Sequence, residues 1–474
     1  MSFLAGTSNA GVAVRPLPTS PKFCLIPRLE TYPSVVSFCQ TTRGKILLLL
    51  VFGIELAAIT HWSYLPVLLS LSLITAFPSQ RRLLVTCCTL AFAFAKSWRA
   101  GSISNAVDIA LVCALAALLF FAAVRFPRSF LARRPLLCLF SSFAVALLLV
   151  SFLPAGNRLQ ITLWDFLIVL GCYIAAIGYS LLDTHSKNRD EFVLQLGTYR
   201  PFWGMTVIPY PKGSAYLRRV EAKTPQALAI SQIKGVKLLA WSLVLFFLWR
   251  TLIRIVHVHF SIPSYADLFA LSATRASFPC WLAWTALISA FFEKLLRLSY
   301  LGHQYIAICR MAGFLALRNT YRPLESRTIA EFWNRYYYYY KELLVDFFFY
   351  PTFMRYFKSR PRLRLFAATF AAACLGNALL HFITGYLEFA QQFGIWNTLL
   401  DFRSYLIYST GLGLGIGISQ LRNAQPKRGW LRGRLVPALC VISFFCLLFV
   451  FDNDVGMYAP ADHLRFLGHL LNLR

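Results

Sequence analysis

A single histidine, His381, lies in the largely apolar stretch 363–387, and Asn377 precedes it by four residues. Ionisable side chains within an apolar span are rare and usually serve a function. Residues four apart share one face of a helix, so Asn377 is placed to orient the imidazole. Burial away from water favours the neutral imidazole, which can take up a proton as a general base. The pattern alone leaves two roles open for His381, catalysis and hydrogen-bonded packing.

A polar and aromatic block, residues 318–351, comes shortly before this histidine. Its charged residues include Glu331, Arg335 and Asp346, in a chain that is otherwise largely apolar. Unpaired charges are costly there, so these side chains are expected to form buried polar contacts that hold the segment in place. The block also contains five consecutive tyrosines, 336–340. For the last three of them, an aromatic belt at the membrane interface is the favoured interpretation.

The order and spacing of this block resemble the membrane-bound O-acyltransferase (MBOAT) family, especially its bacterial branch of alginate O-acetylation and teichoic-acid D-alanylation proteins. The similarity extends over residues 302–387. The matching positions are Asn319 and Pro323 in a turn, Ser326, Glu331, Phe332, Trp333 and Arg335 in the family signature, and residues 346–351 after it. His381 takes the place of the family's invariant histidine, whereas Tyr337 stands where the other signature histidine is usual.

The resemblance implies a ring of tilted helices around a central funnel. It also implies transfer of an acyl group, most simply acetyl, from a thioester to a hydroxyl of a cell-envelope polysaccharide, glycolipid or metabolite. The donor would be acyl-coenzyme A or an acyl-carrier protein, and no cofactor would be bound tightly. Membrane lipids would surround the enzyme, and an acyl-carrier or secreted acyltransferase protein would be its partner.

Roles for individual residues follow from the same resemblance. His381 would be the general base, and Tyr337, or Asn334 near it, would polarise the substrate or the attacked carbonyl. Asn334, Arg335 and Asn377 would contact the substrate. The residues Asn319, Pro323, Glu331, Trp333 and Asp346 would belong to the structural signature.

Three alternatives remain open at this point. The acceptor of the acyl group could be a lipid or a sterol. The chain could be a non-catalytic transporter or conduit in which His381 and acidic residues relay protons. It could also be a pseudoenzyme of the same family, because Tyr337 replaces a signature histidine.

The elements that must position these residues are membrane helices. Of the 474 residues, 58% are hydrophobic and 14% are charged, and the mean hydropathy is +0.59. Soluble domains carry about a quarter charged residues. Apolar runs close to bilayer length predict an all-α polytopic membrane protein with roughly 10–12 membrane helices.

Charge and cysteine content narrow the partners further. The net charge of +28 comes largely from basic strips between apolar runs, which is typical of cytoplasmic loops that touch anionic headgroups. This placement argues against nucleic-acid binding, which needs a basic face on a soluble module. The 12 cysteines lie mostly inside apolar runs without metal-ligand spacing, so neither a metal site nor a disulfide framework is predicted.

Four segments are expected along the chain. They are a polar N-terminal arm (1–44), N-terminal transmembrane helices (45–182), a cytoplasmic connector (183–235) with one amphipathic helix around 215–233, and the MBOAT-like core (236–474). The first strong apolar run begins near Ile46, later than in a cleavable signal peptide. We therefore expect a retained first span, a cytoplasmic N-terminus and a place in a bacterial inner membrane.

Overall fold

The computed structural model describes residues 26–60, 64–99, 103–154, 156–204, 212–422, 429–452 and 458–473. All regular elements in these ranges are helical, and extended pairing there is confined to one isolated antiparallel bridge between Glu221 and Phe314. The first 25 residues of the predicted arm and residues 205–211 of the connector lie outside the described ranges.

Ten α-helices are described before residue 225. They are α1 Pro33–Gln40, α2 Thr42–Thr60, α3 Leu65–Ala76, α4 Arg81–Arg99, α5 Ile103–Arg125, α6 Phe130–Arg133, α7 Pro135–Ser151, α8 Arg158–Asp183, α9 Phe192–Leu196 and α10 Ser214–Val220.

The rest of the described chain contains α11 Pro225–Ile253, α12 Tyr265–Ala273, α13 Cys280–Met311, α14 Ile329–Tyr336, α15 Tyr338–Leu344, α16 Tyr350–Arg355, α17 Pro361–Phe370, α18 Asn377–Gly385, α19 Leu387–Phe393, α20 Ile395–Asp401, α21 Arg403–Leu421, α22 Val436–Phe449 and α23 Pro460–Leu470. π-helical turns adjoin several of these at Arg254–His259, Val345–Phe349, Ala371–Gly376 and Leu431–Leu435. Short 3₁₀ turns lie at Leu29–Thr31, Pro78–Gln80 and Pro323–Glu325.

Five helical stretches in the described ranges are long and apolar enough to cross a membrane. They are Asn105–Arg125, Arg158–Asp183, Pro225–His259, Pro361–Gly385 and Leu431–Phe449. Large apolar side chains such as Ile54 and Leu118 point outward, which lipid accommodates and water does not. The chain is therefore an all-α membrane protein, as the sequence predicted. The expected total of 10–12 membrane helices stays a prediction.

Helix α8 is the element around which the predicted site is built. Its side chains Ile174 and Ile177 are buried in one core with Phe347 of the signature block and Ile383 of α18. A Cβ at Gly171 would lie 3.0 Å from the carbonyl oxygen of Ile383, so glycine there lets α18 approach the backbone of α8 closely. The sequence block and the histidine helix are thus packed against the same membrane helix.

Much of the predicted cytoplasmic connector is folded into the helix bundle. Tyr199, Trp203 and Tyr216 are all buried. At the entrance to this segment Asp190 pairs with Arg82 at 2.6 Å and with Arg218 at 3.0 Å. Burial raises the pKa of Asp190, but these cations and the Ser214 hydroxyl outweigh it, and the net pKa is lowered.

The amphipathic helix expected around 215–233 is different. Helix α10 ends at Val220, and a new helix, α11, begins at Pro225 and continues into the membrane span. Thr224 caps α11 by accepting a hydrogen bond from the backbone N–H of Ala227 at 3.1 Å. Proline suits the first helical position, where the backbone N–H has no partner within the helix, so α11 starts here as a helix separate from α10.

Candidate functional site

The turn at Asn319 fixes the backbone of the tyrosine run. The carbonyl oxygen of Asn319 accepts from the backbone N–H of Tyr338 at 2.9 Å, and its side-chain oxygen accepts from the N–H of Tyr339 at 3.2 Å. The hydroxyl of Thr320 donates to the carbonyl of Tyr336 at 2.8 Å. These bonds hold the junction of α14 and α15 in one conformation, although Asn319 is not among the residues that line the cavity of His381.

The predicted charged contacts of Glu331 and Arg335 form, but at a partly exposed position. Their side chains pair at 2.6 Å and are 33% and 29% exposed, rather than buried as expected. Arg335 also donates to the carbonyl oxygen of Arg322 at 3.3 Å, next to the buried Pro323. Charges of opposite sign one helical turn apart stabilise a helix modestly, and this pair does so at a position that water partly reaches.

Asp346 lies in the π-helical turn and joins the signature block to the connector. Its carboxylate pairs with Lys212 at 3.0 Å and accepts a hydrogen bond from the hydroxyl of Tyr179 at 3.1 Å. Lys212 also pairs with Glu342 at 2.8 Å. Burial lowers the pKa of Lys212, but the two carboxylates outweigh it, and the net pKa is raised. The lysine is therefore held as a cation between them.

His381 lies on a continuous helical stretch, Pro361–Gly385, whose middle is the π-helical turn Ala371–Gly376. π-Turns inside helices are frequent at functional sites because they re-aim the side chains that follow. Helix α18 starts directly after the turn, and it carries Asn377 and His381 one turn apart. As the spacing predicted, both side chains face the same cavity.

Aromatic contacts orient the two residues. The imidazole of His381 stacks on the ring of Tyr405, with centroids 4.1 Å apart and planes 2° from parallel. The side-chain oxygen of Asn377 accepts a hydrogen bond from the hydroxyl of Tyr340 at 2.7 Å. One face of the imidazole is therefore covered by Tyr405, and His381 contributes to the cavity wall.

The cavity has a volume of about 370 Å³ and lies between α8, α13, the signature block, α18 and α21. Four sequence-predicted residues line it: Trp333, Tyr337, Asn377 and His381. The other predicted site residues do not line it: Asn319, Pro323, Glu331, Asn334, Arg335 and Asp346. Asn334 is exposed on α14, so its predicted substrate contact is not made from this cavity. The signature thus splits into cavity residues and residues that hold the block in place.

The last tyrosines of the run differ from the predicted interfacial belt. Tyr339 is 1% exposed, and its hydroxyl lies 2.9 Å from that of Tyr216. Tyr340 lines the cavity and stacks on Tyr337, with ring centroids 5.4 Å apart. A run of five identical residues carries no pattern, so the sequence could not show which tyrosine rings are buried and which face the cavity.

Three charged lining residues were missed by the sequence analysis: Arg200, Lys294 and Asp452. Lys294 and Asp452 form an ion pair at 2.5 Å, and the aspartate side chain is only 6% exposed. The sequence did mark both members of this pair as unusual, because Lys294 interrupts the apolar run 278–297 and Asp452 directly follows the apolar run 435–451. Arg200 gave no such signal, because it lies in the polar connector.

Tyr337 presents a buried hydroxyl that has no hydrogen-bond partner in the described structure. We expect Tyr337→Phe to leave the unfolding temperature unchanged or slightly raised, because it removes an unsatisfied polar group. Tyr340→Phe is the matched control, since it deletes a formed bond to Asn377 and should cost about 1 kcal/mol. Thermal unfolding of both purified variants checks this, and equal destabilisation of the two would contradict it.

No metal-binding group of three His, Cys, Asp or Glu side chains occurs within the described ranges. The cavity instead offers an imidazole, an unsatisfied phenol, an amide and charged side chains on an aromatic wall. These groups can accept a proton, donate hydrogen bonds and balance charge. No protein-family model matches the chain, and no curated protein matches it in sequence.

Proposed function

We propose that this chain is a membrane-bound O-acyltransferase of the MBOAT type, and that the cavity of His381 is its active site. The observation that carries the proposal is the meeting of two separate sequence features in one cavity. His381 comes from α18 and Tyr337 from the junction of α14 and α15, and both line the same internal space. The MBOAT resemblance assigns chemistry to these same two positions.

The proposed reaction is direct transfer from a thioester to a hydroxyl. The hydroxyl oxygen attacks the thioester carbonyl carbon while neutral His381 takes the hydroxyl proton. The hydroxyl of Tyr337 donates a hydrogen bond to the oxyanion that forms on the carbonyl. The C–S bond then breaks, and the leaving thiolate receives the proton from His381. The products are an ester and a free thiol, and the imidazole returns to its neutral form.

The finer features of the fold and setting belong to the same proposal. We infer a ring of 10–12 tilted membrane helices around a funnel that contains the cavity. The donor is acyl-coenzyme A or an acyl-carrier protein, and the acceptor is an envelope polysaccharide, glycolipid or metabolite. The protein resides in a bacterial inner membrane with a cytoplasmic N-terminus and works with an acyl-carrier or secreted acyltransferase partner.

Transfer of labelled acyl groups by membranes tests the proposal. Membranes with and without the chain are supplied with radiolabelled acetyl and octanoyl thioesters of coenzyme A and of an acyl-carrier protein. We expect label to appear in an ester-linked lipid, polysaccharide or small-molecule fraction only when the chain is present. Label confined to lipid or sterol esters would change the acceptor. Failure with every donor would contradict the proposal and favour the conduit or the pseudoenzyme.

A further inference from the structure

Arg200 belongs to the connector by sequence, but its partly buried side chain lies against a membrane helix. Its guanidinium carbon is 5.4 Å from the ring centroid of Tyr173, near the middle of the membrane helix Arg158–Asp183. It lines the cavity together with Cys172 and Thr198. The connector therefore carries a permanent cation into the wall of the proposed active site.

The charges around the cavity are unevenly compensated. Lys294 is paired with Asp452, and Lys212 of the connector is paired with Glu342 and Asp346. Arg200, by contrast, forms no ion pair with any carboxylate in the described ranges. Its contacts there are the ring of Tyr173 and hydrogen bonds to the side chains of Cys172 and Tyr173, none of which carries a full negative charge. A guanidinium in an apolar wall is costly without a counter-charge. An anion bound in the cavity would supply that counter-charge.

The backbone at Arg200 is held in an unusual conformation. Its φ of 54° lies in the left-handed region, which non-glycine residues seldom adopt. The neighbours on both sides are anchored, because the hydroxyl of Tyr199 donates to that of Ser180 at 3.0 Å and Trp203 is 1% exposed. Strain of this kind persists where the surroundings over-determine it, and it is enriched at binding sites. The anchors keep the guanidinium at the cavity wall.

We propose that Arg200 binds an anionic group, a carboxylate or a phosphate, of an amphiphilic substrate. The apolar part of that substrate lies along the cavity wall formed by Ile174, Ala175 and Leu380. Helix α18 meets α8 at Gly171, and Arg200 contacts α8 two residues further on, at Tyr173; His381 of α18 and Arg200 line the same cavity. The inference rests on the proposed function and narrows its substrate class, since the anionic group occupies the same cavity as the reacting group. A planar guanidinium suits both anions, which it can bind with two parallel hydrogen bonds.

Ligand-induced stabilisation of the detergent-purified full chain tests the inference without requiring turnover. Octyl phosphate, octanoate and octanol are titrated, and the shift of the unfolding temperature is measured for each. We expect at least one of the two anions to stabilise the wild type more than octanol does. Phosphate alone, carboxylate alone, or both would each support the site and identify the anion it takes. Equal stabilisation by all three compounds would overturn it.

Variants separate this site from the proposed chemistry. Arg200→Gln should weaken binding of the stabilising anion about tenfold or more and leave the octanol shift unchanged. Arg200→Lys keeps the positive charge and should retain part of the stabilisation by the anion. This result would show that the loss in Arg200→Gln is not caused by a general folding defect. His381→Gln should bind the anion as the wild type does. If the chain binds the anion through Arg200 but transfers no acyl group, only the proposed function is contradicted. If it transfers acyl groups but Arg200→Gln does not change stabilisation by the anion, only the anion site is contradicted.

Discussion

Replacing His381 with glutamine is expected to lower the rate of acyl transfer by about 10²–10⁴-fold, which corresponds to about 3–5 kcal/mol in the barrier. Glutamine is close in size and can stack on Tyr405, but it cannot take up the hydroxyl proton. The loss should appear in kcat, because the substituted group acts on the reacting proton and not on the parts of the substrate bound elsewhere. Initial rates with the labelled thioester, at donor concentrations spanning KM, check this.

The control for this substitution is another histidine that is held by an aromatic ring. His469 stacks on Phe278 with centroids 4.3 Å apart and does not line the cavity. His469→Gln should therefore keep wild-type kcat. An unfolding temperature for His381→Gln within a few degrees of wild type would show that its loss of rate is chemical. Wild-type transfer by a well-folded His381→Gln would remove the histidine from the mechanism and return it to a packing role.

The part of the site that could be predicted from sequence is the part set by local geometry. The spacing of Asn377 and His381 fixes their shared face because a helix repeats every 3.6 residues, and the structure confirms that both face one cavity. The membrane helices were likewise predictable, since an apolar run of bilayer length has few alternatives to a helix. Such patterns predict which helix forms and which residues share one of its faces. They do not predict which other elements pack against that face.

The parts that were missed depend on contacts between distant segments. Arg200 reads as a loop residue, and only the packing of Tyr199 and Trp203 brings it against α8. Asn334 shows the opposite case, since it stands beside cavity residues in sequence but faces outward on α14. A helix turns by about 100° per residue, so adjacent side chains diverge, and a signature motif cannot say which member reaches the substrate.

Loss of one partner of the Lys294–Asp452 pair is expected to destabilise the protein strongly. The nitrogen of Lys294 is 2.5 Å from a carboxylate oxygen of Asp452, whose side chain is buried, and it lies 4.8 Å from the ring centroid of Phe449. Lys294→Met leaves the buried carboxylate without this cation. Truncating one partner of a buried pair costs about 3–5 kcal/mol, because the remaining charge is desolvated without compensation. Thermal unfolding of the purified protein should show the loss for Lys294→Met and, since Lys294 is more exposed, a smaller one for Asp452→Asn.

The double variant distinguishes charge balance from simple contact loss. Lys294→Met combined with Asp452→Asn removes both charges and should be more stable than Lys294→Met alone, because neither member of the pair is left as an uncompensated charge. Glu325→Gln is the matched control, since it breaks a pair with Arg322 in which both side chains are more than half exposed, and it should cost about 1 kcal/mol or less. If the loss of stability in the double variant equals the sum of the losses in the two single variants, each side chain acts through its own separate contacts. The two charges would then have to be explained by what each binds in the cavity, and not by their attraction to one another.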